Sequence, residues 1–303
     1  MRDLSFEVIC PSCRTANLSF CDSSYFCTSC RESFPIVNDV PILLSDSNEF
    51  FNKQTSVDPT SSGFSQSLIK LFSSFVPSQT LIRNQDNAFY RFLDILPDKS
   101  SCLVIGSGDD FRTIELLKSK GVKAITSDVF YSSSVDFVFD AESIPFADSS
   151  FNSIVCIAVL EHVLEPKKVV SEFSRVLVDG GVVFSSIPFL QHVHMGRFDF
   201  QRYSFLGHRW LFKQFDEIEM GSCSGAGSAL VWSLTGFFQS FSNKRYYRYF
   251  AKLFFRFFFF WLKYLDYIPQ SSDFALGTYF IGRNRKVDTL TRTELLKRYD
   301  QSS

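Results

Sequence analysis

Ser101-Cys-Leu-Val-Ile-Gly106-Ser-Gly108-Asp-Asp110-Phe-Arg-Thr113, followed after a short amphipathic run by Val122-Lys-Ala-Ile-Thr-Ser-Asp128, is the stretch on which the fold turns. Cys102 to Ile105 is a continuous apolar run of strand type, Gly106-Ser107-Gly108 interrupts it, and Thr113 to Lys120 has the apolar spacing of a helix. Strand, glycine turn and helix in this order let a ligand approach the backbone closely, because a glycine carries no Cβ and a helix start offers unpaired N–H groups. Twenty residues after Gly108, Asp128 ends the next apolar run. A carboxylate at the tip of a second parallel strand can accept hydrogen bonds from a ribose diol, so the pair outlines a nucleoside site.

Working outward, two further blocks follow in order. The first is Val135-Asp-Phe-Val-Phe-Asp140-Ala141-Glu-Ser-Ile-Pro-Phe-Ala-Asp-Ser-Ser-Phe-Asn-Ser-Ile-Val-Cys-Ile-Ala158-Val-Leu-Glu161-His162-Val, and the second is Arg175-Val-Leu-Val-Asp-Gly-Gly181. Strands are expected at 101–105, 124–127, 137–139, 153–158, 182–187, 217–221 and 278–282, which gives an α/β protein with a seven-stranded sheet.

These motifs resemble class I S-adenosylmethionine (AdoMet)-dependent methyltransferases of the type 11 group. There the third strand ends in Asp-Ala, Leu-Glu-His-Val follows the fourth, and Arg-Val-Leu-x-Pro-Gly-Gly precedes the fifth. The resemblance implies a doubly wound, Rossmann-like sheet of order 3-2-1-4-5-7-6 with ligand at the C-terminal strand ends. It places the methionyl part of AdoMet on Gly106 and Gly108, the ribose on Asp128, the adenine at Asp140 and Ala141, and the methyl-donor side along Ala158 to Glu161. Two positions depart from the pattern: Val104 stands where the family carries an acid, and Asp110 where it carries a small residue. The segment 129–135 between strands two and three is too short for the usual crossover helix. His162 reads either as a structural hydrogen-bonding group or as a proton carrier.

Eight cysteines are present, four of them as Cys10-x-x-Cys13 and Cys27-x-x-Cys30. Two such knuckles bring four thiolates into the tetrahedron that Zn2+ accepts; with all four positions taken by protein sulfur, the metal is expected to be structural. The module resembles the zinc ribbon of methyltransferase-activator subunits, with strand, turn at Asn38-Asp39 and strand behind the knuckles. The expected organisation is a zinc ribbon over 1–46, a Ser-rich linker over 47–83 with an amphipathic helix at 65–75, a methyltransferase domain over 84–286, and a tail over 287–303.

After the fifth strand comes Pro188-Phe-Leu-Gln-His192-Val-His194-Met-Gly-Arg197-Phe-Asp199-Phe-Gln-Arg202-Tyr203-Ser-Phe-Leu-Gly-His208-Arg209, which holds three of the four histidines. It resembles a bacterial methyltransferase subgroup often coded near envelope-glycan genes. Methyl transfer to a hydroxyl needs a base, and a histidine serves near neutral pH. His194 is the first candidate and His192 the second, with Asp199 and Arg202 either binding substrate or latching the loop. A metal reading of His192 and His194 with Asp199 finds no accompanying carboxylate set.

Residues 225–269, between strands six and seven, read as a helical insertion. Arg245, Arg248, Lys252, Arg256 and Lys263 gather on one side of a helix otherwise covered with phenylalanine. A cap packed on the domain, a membrane-surface helix over 245–266 and a homodimer face remain open. Net charge is -1, which argues against a nucleic-acid partner, and no apolar run approaches the roughly 20 residues that span a bilayer. With no secretion signal apparent, a cytoplasmic, membrane-associated at most, enzyme is expected. Its reaction is O-methylation of a small or glycan-linked acceptor; the alternatives are rRNA or tRNA methylation and an inactive scaffold of the same fold.

Overall fold

The computed structural model describes residues 6–15, 18–21, 23–48, 50–51, 53, 83–108, 110–258, 260–267 and 271–302. The amphipathic helix expected at 65–75 lies outside them. From the N-terminus, β1 (Leu18–Cys21), β2 (Ser24–Cys27), β3 (Ser33–Val37) and β4 (Val40–Leu43) form an antiparallel meander. Asn38 and Asp39, with φ of 48° and 64°, make the tight turn between β3 and β4, the left-handed pair that a two-residue hairpin requires.

Helix α1 (Arg83–Asp94) leads into β5 (Ser101–Ile105), α2 (Phe111–Ser119), β6 (Lys123–Asp128), β7 (Phe137–Phe139) and β8 (Phe151–Ile157). Then come α3 (Pro166–Val176), β9 (Leu177–Pro188), α4 (Phe205–Leu211) and β10 (Phe215–Ser224). The insertion contributes α5 (Ala226–Gln239) and α6 (Arg245–Phe258), and the chain closes with β11 (Gly277–Asn284) and α7 (Arg292–Ser302).

From β5 to β11 the strands lie in the order β7-β6-β5-β8-β9-β11-β10, with β11 antiparallel to both neighbours. The sheet does not stop there. β4 pairs parallel with β7, Ile42 opposite Val138 and Leu43 opposite Phe139, so one eleven-stranded sheet runs through the cysteine module and the α/β unit. The expected seven-stranded sheet with a separate ribbon is corrected on this point. β7 is only three residues long and has an open edge; an open edge needs pairing or cover, and β4 supplies it.

The short connection from β6 to β7 contains no helix, as its length required. β7 begins beside the end of β6, Ser127 opposite Phe137, so the chain only steps sideways instead of running back along a strand. One core cluster joins the two parts: Val8, Cys10, Tyr25, Cys27 and Phe34 pack with Ile144, Phe146, Phe151 and Phe173. Phe146 sits at its centre, edge-on to Phe137 at 5.1 Å and to Phe151 at 5.0 Å, in the geometry favoured by ring quadrupoles. No helix among the described residues is long and apolar enough to cross a membrane.

Candidate cofactor and acceptor site

The C-terminal ends of β5, β6, β7 and β8 converge on a cavity of about 340 Å3. Gly106, Asp128, Phe130, Asp140, Ala141, Ala158, Val159, His162, His194 and Phe198 are among its walls. Gly106 has φ of +64°, and a Cβ there would lie 2.3 Å from Val159 Cγ2, so glycine is required both by backbone and by space. Asp128 accepts from the Gly108 N–H at 3.0 Å and from the Phe130 N–H at 3.0 Å, one on each oxygen. It therefore locks the glycine turn, and a carboxylate has acceptor sites beyond two with which to meet a diol.

The departures at 104 and 110 have local causes. Asp110 caps α2, accepting from the Thr113 N–H at 3.1 Å and from its hydroxyl at 2.6 Å. This spends the carboxylate on the helix start, where charge and dipole agree. Val104 is buried in the apolar layer with Phe89, Phe92 and Phe184. Ala158 ends β8 with φ of 54°, a conformation rare for a residue with a Cβ, and lines the cavity.

Asp140 faces the cavity edge but is tied down, accepting from the Glu142 N–H at 2.9 Å and from Asn48 Nδ2 at 2.6 Å. Asn48 belongs to the strap that leaves β4, and its Oδ1 receives the N–H groups of Phe50 and Phe51. Phe51 is thereby placed against Phe130 and Phe198, both at 5.8 Å, over the cavity. Neither Asn48 nor Phe51 figures among the residues expected from sequence; the only signal was an apolar pair in a Ser-rich tract.

Of the expected loop residues, the structure brings His194 to the cavity wall and sends the others elsewhere. His194 Nδ1 is 3.3 Å from Asp199 Oδ2, and Asp199 also receives the His194 N–H at 2.8 Å. Arg202 grips Asp199 through both terminal nitrogens, which holds that carboxyl well below the usual range. The same guanidinium donates to the carbonyls of Gln191 at 3.0 Å and His192 at 3.2 Å. Asp199 and Arg202 thus latch the loop 191–202, and neither lines the cavity.

His192 turns outward, 5.1 Å from the Trp232 ring of α5, and burial there lowers its pKa. His208, the far end of the expected segment, is fully buried in the core, held by Thr278 Oγ1 at 2.9 Å and Ser185 Oγ at 3.2 Å. Burial pushes its pKa down to about 3, so it is a neutral structural group.

Behind the wall stands Glu161, fully buried, with no hydrogen-bond partner on either oxygen. Its Oε1 is 3.6 Å from His162 Nε2 and 3.7 Å from His194 Nε2. Glu161, and Asp199 after it, raise the His194 pKa against the opposing effect of burial.

A second hollow, of about 680 Å3, opens beside the first and shares Phe51, Asp140, His162 and Phe198 with it. Its other side comes from the cysteine module, including Ser12, Arg14 and Ser47. Its cations are already engaged, Arg14 with Glu172 at 2.9 Å and Lys168 with Glu142 at 3.4 Å.

At the far end of the module, Cys10 Sγ lies 3.6 Å from Cys30 Sγ and Cys13 Sγ 3.5 Å from Cys27 Sγ, and all four sulfurs fall within 4.8 Å of one another. Disulfide sulfurs would be about 2 Å apart. Zn–S bonds of about 2.3 Å set tetrahedral sulfurs roughly 3.8 Å apart, so the set fits a zinc ribbon.

Residues 97–185 match the family model described as Methyltransferase domain. No curated protein matches the chain. Among solved structures, a putative sarcosine dimethylglycine methyltransferase from Galdieria sulphuraria is 14% identical, with a TM-score of 0.47 over 67% of this chain and 86% of that one. Phosphoethanolamine N-methyltransferase 2 of Haemonchus contortus is 16% identical, with a TM-score of 0.47 over 66% and 52%. The YcgJ protein of Bacillus subtilis is 16% identical, with a TM-score of 0.42 over 66% and 99%.

Proposed function

We propose that this chain, whose residues 97–185 form a methyltransferase domain of the AdoMet-dependent family, transfers a methyl group to an oxygen of a hydroxyl-rich, small or glycan-linked acceptor. The observation that carries the reading is the cavity at Gly106 and Asp128, where no side chain fits at 106 and the turn is locked by the strand-end acid. Gly106 and Gly108 would hold the methionyl part, Asp128 the ribose, and Ala141 the adenine; the bound cofactor supplies an electrophilic methyl group. Since Asp110 is committed to capping α2 and Val104 to the core, the two departures from the family pattern give no support to an inactive scaffold.

The larger hollow is the proposed acceptor site. Serine hydroxyls, carboxylates and the rings of Phe51, Phe198 and Phe200 line it together, a mixture suited to a polyhydroxylated ligand with apolar faces. RNA is the weaker reading, because Arg14 and Lys168 are neutralised by Glu172 and Glu142 rather than offered to phosphates. The proposed base is His194, backed by Asp199 on Nδ1; it lines the cofactor cavity, which meets the larger hollow at His162 and Phe198.

Titration calorimetry with AdoMet tests the first half: Asp128→Ala is expected to weaken binding by about 10- to 100-fold, the worth of a charged hydrogen-bond acceptor. Unchanged affinity in a folded variant sinks the ribose assignment. His194→Gln is expected to lower turnover about 100-fold or more with AdoMet affinity intact.

We further propose that the insertion lies against a membrane surface. Phe237, Phe241, Phe250 and Phe257 are each between 58% and 64% exposed, large apolar rings of the kind that enter a lipid interface. Co-flotation with anionic liposomes that persists after Phe237→Ser and Phe250→Ser would refute this.

A further inference from the structure

We propose that Glu161, His162 and His194 form a binding site for a divalent transition cation of the Zn2+ and Co2+ class in the wall of the cavity, distinct from the four-cysteine site. One ligand atom from each lies within 4.8 Å of the others. Bonds of about 2.1 Å would set neighbouring tetrahedral ligands roughly 3.4 Å apart, close to the 3.6 Å and 3.7 Å that separate Glu161 Oε1 from the two Nε2 atoms.

The hydrogen bonding on the far side of each ring points the same way. His162 Nδ1 is 2.8 Å from the carbonyl of Phe198, which can only accept, so the proton is on Nδ1 and the lone pair of the neutral ring is on Nε2. His194 Nδ1 faces the Asp199 carboxylate at 3.3 Å, an acceptor that favours the proton on that nitrogen. A carbonyl behind one histidine and a carboxylate behind the other are the arrangement that orients metal-binding imidazoles.

Left to themselves, these groups oppose one another. With both rings neutral, two lone pairs would face a fully buried carboxylate that has no partner within hydrogen-bond distance, a costly burial that the cation-free protein offsets only by charging His194 at 3.7 Å. A dication at the common focus resolves all three. Three protein ligands of the two-histidine, one-carboxylate kind leave at least one coordination position open. That position gives onto the cavity, since His162 and His194 both line it. The sequence argued against a metal at His194 because it paired that residue with His192; the partners come instead from the turn after β8.

For its role, the inference rests on the function proposed above: a bound cation would hold the acceptor hydroxyl and lower its pKa, the O–H bond breaking with loss of the proton to solvent. His194 is then a ligand, and takes the proton itself only in the cation-free protein. The binding experiment does not depend on activity. The full chain is dialysed against micromolar Zn2+ without AdoMet and its zinc content measured. Two zinc ions per chain are expected, falling to one in Glu161→Gln and in His194→Gln, and Co2+ at the second site should give weak visible bands without sulfur charge-transfer absorption. Asp199→Asn, which leaves the three ligands in place, should weaken the second site about 10- to 100-fold and keeps the test open if Glu161→Gln does not fold. One zinc in the wild type, or two in a folded ligand variant, overturns the proposal. AdoMet binding without a second metal would defeat this inference alone, whereas a second metal without AdoMet binding would defeat the function.

Discussion

Histidine is the residue type on which sequence and structure differ most here. Three of the four lie between 192 and 208, and one periodic segment brought them together on paper. In space they part: His192 packs on Trp232, His194 faces the cavity, and His208 is a core residue between Thr278 and Ser185. For His208 the consequence is a pH dependence of stability. Its folded pKa of about 3 is below the unfolded value of about 6.5, so between the two the unfolded chain binds the extra proton. The contribution is fully present above pH 6.5 and is lost as pH falls toward 3, at no more than about 1.4 kcal/mol per pH unit. Denaturant melts at pH 7, 6 and 5 should show that slope in the wild type and a shallower one in His208→Gln, which keeps polar partners for Thr278 and Ser185. Equal slopes would mean that His208 is solvated in the folded state. Asp110 teaches the opposite lesson: an odd residue by family pattern becomes ordinary once its own helix is considered.

At the scale of elements, two segments outside the strands and α-helices position the site. The loop 191–202 is held by one guanidinium, since Arg202 joins Asp199 to the carbonyls of Gln191 and His192. The strap after β4 is held by Lys53, which reaches Glu32 at 3.2 Å and the Ser33 carbonyl at 2.7 Å, and by Asn48 on Asp140. Phe51 is the product of that strap. Because one ring contact is worth about 0.5–1.5 kcal/mol, Phe51→Ala, which takes a ring from the cavity wall, should weaken AdoMet binding by roughly 2- to 12-fold by calorimetry. An unaffected dissociation constant would show the strap to be remote from the bound cofactor. In the insertion the side chains of Arg245, Lys252, Arg256 and Lys263 lie outside the described residues; α6 itself buries Ala251 and Phe255, with Phe255 4.7 Å from Phe238 of α5. This inner stripe is that of a helix packed on its neighbour, while Phe250 and Phe257 are more than half exposed.

For the whole molecule, the division near residue 46 is proposed to be one of sequence and not of folding. β4 continues the sheet from β7, Arg14 bonds Glu172 at 2.9 Å, the Ser143 hydroxyl donates to the Pro11 carbonyl at 2.7 Å, and the core runs through. Metal at the four cysteines would therefore act on a site it does not touch. In the Glu161→Gln variant, which is expected to keep only the four-cysteine metal, stripping that metal with a strong chelator should lower the melting temperature and weaken AdoMet binding together, as the strap bearing Asn48 and Phe51 loses its anchor. If the metal left and AdoMet affinity stayed as before, the ribbon would be an appendage after all.

The glycine turn, the strand-end positions of Asp128 and Asp140 and the cysteine knuckles were legible in the sequence, because each rests on a spacing that one backbone conformation satisfies; an order of strands came only with the family resemblance. Gly106 is called for by its own φ of +64° alone, and Asp128 by the glycine turn beside it, although the Val159 side chain that also excludes a Cβ at 106 comes from the distant turn after β8. What the tertiary structure alone decided are the meetings across long separations. Cys10 shares a core with Phe173, Asn48 holds Asp140, and Glu161 and His162 from the turn after β8 face His194 from the loop after β9. No local periodicity encodes such encounters. They follow from β4 sealing the open edge of β7 and from the sheet bringing the ends of β8 and β9 side by side, which places a buried carboxylate behind two imidazoles thirty-two residues apart in the chain.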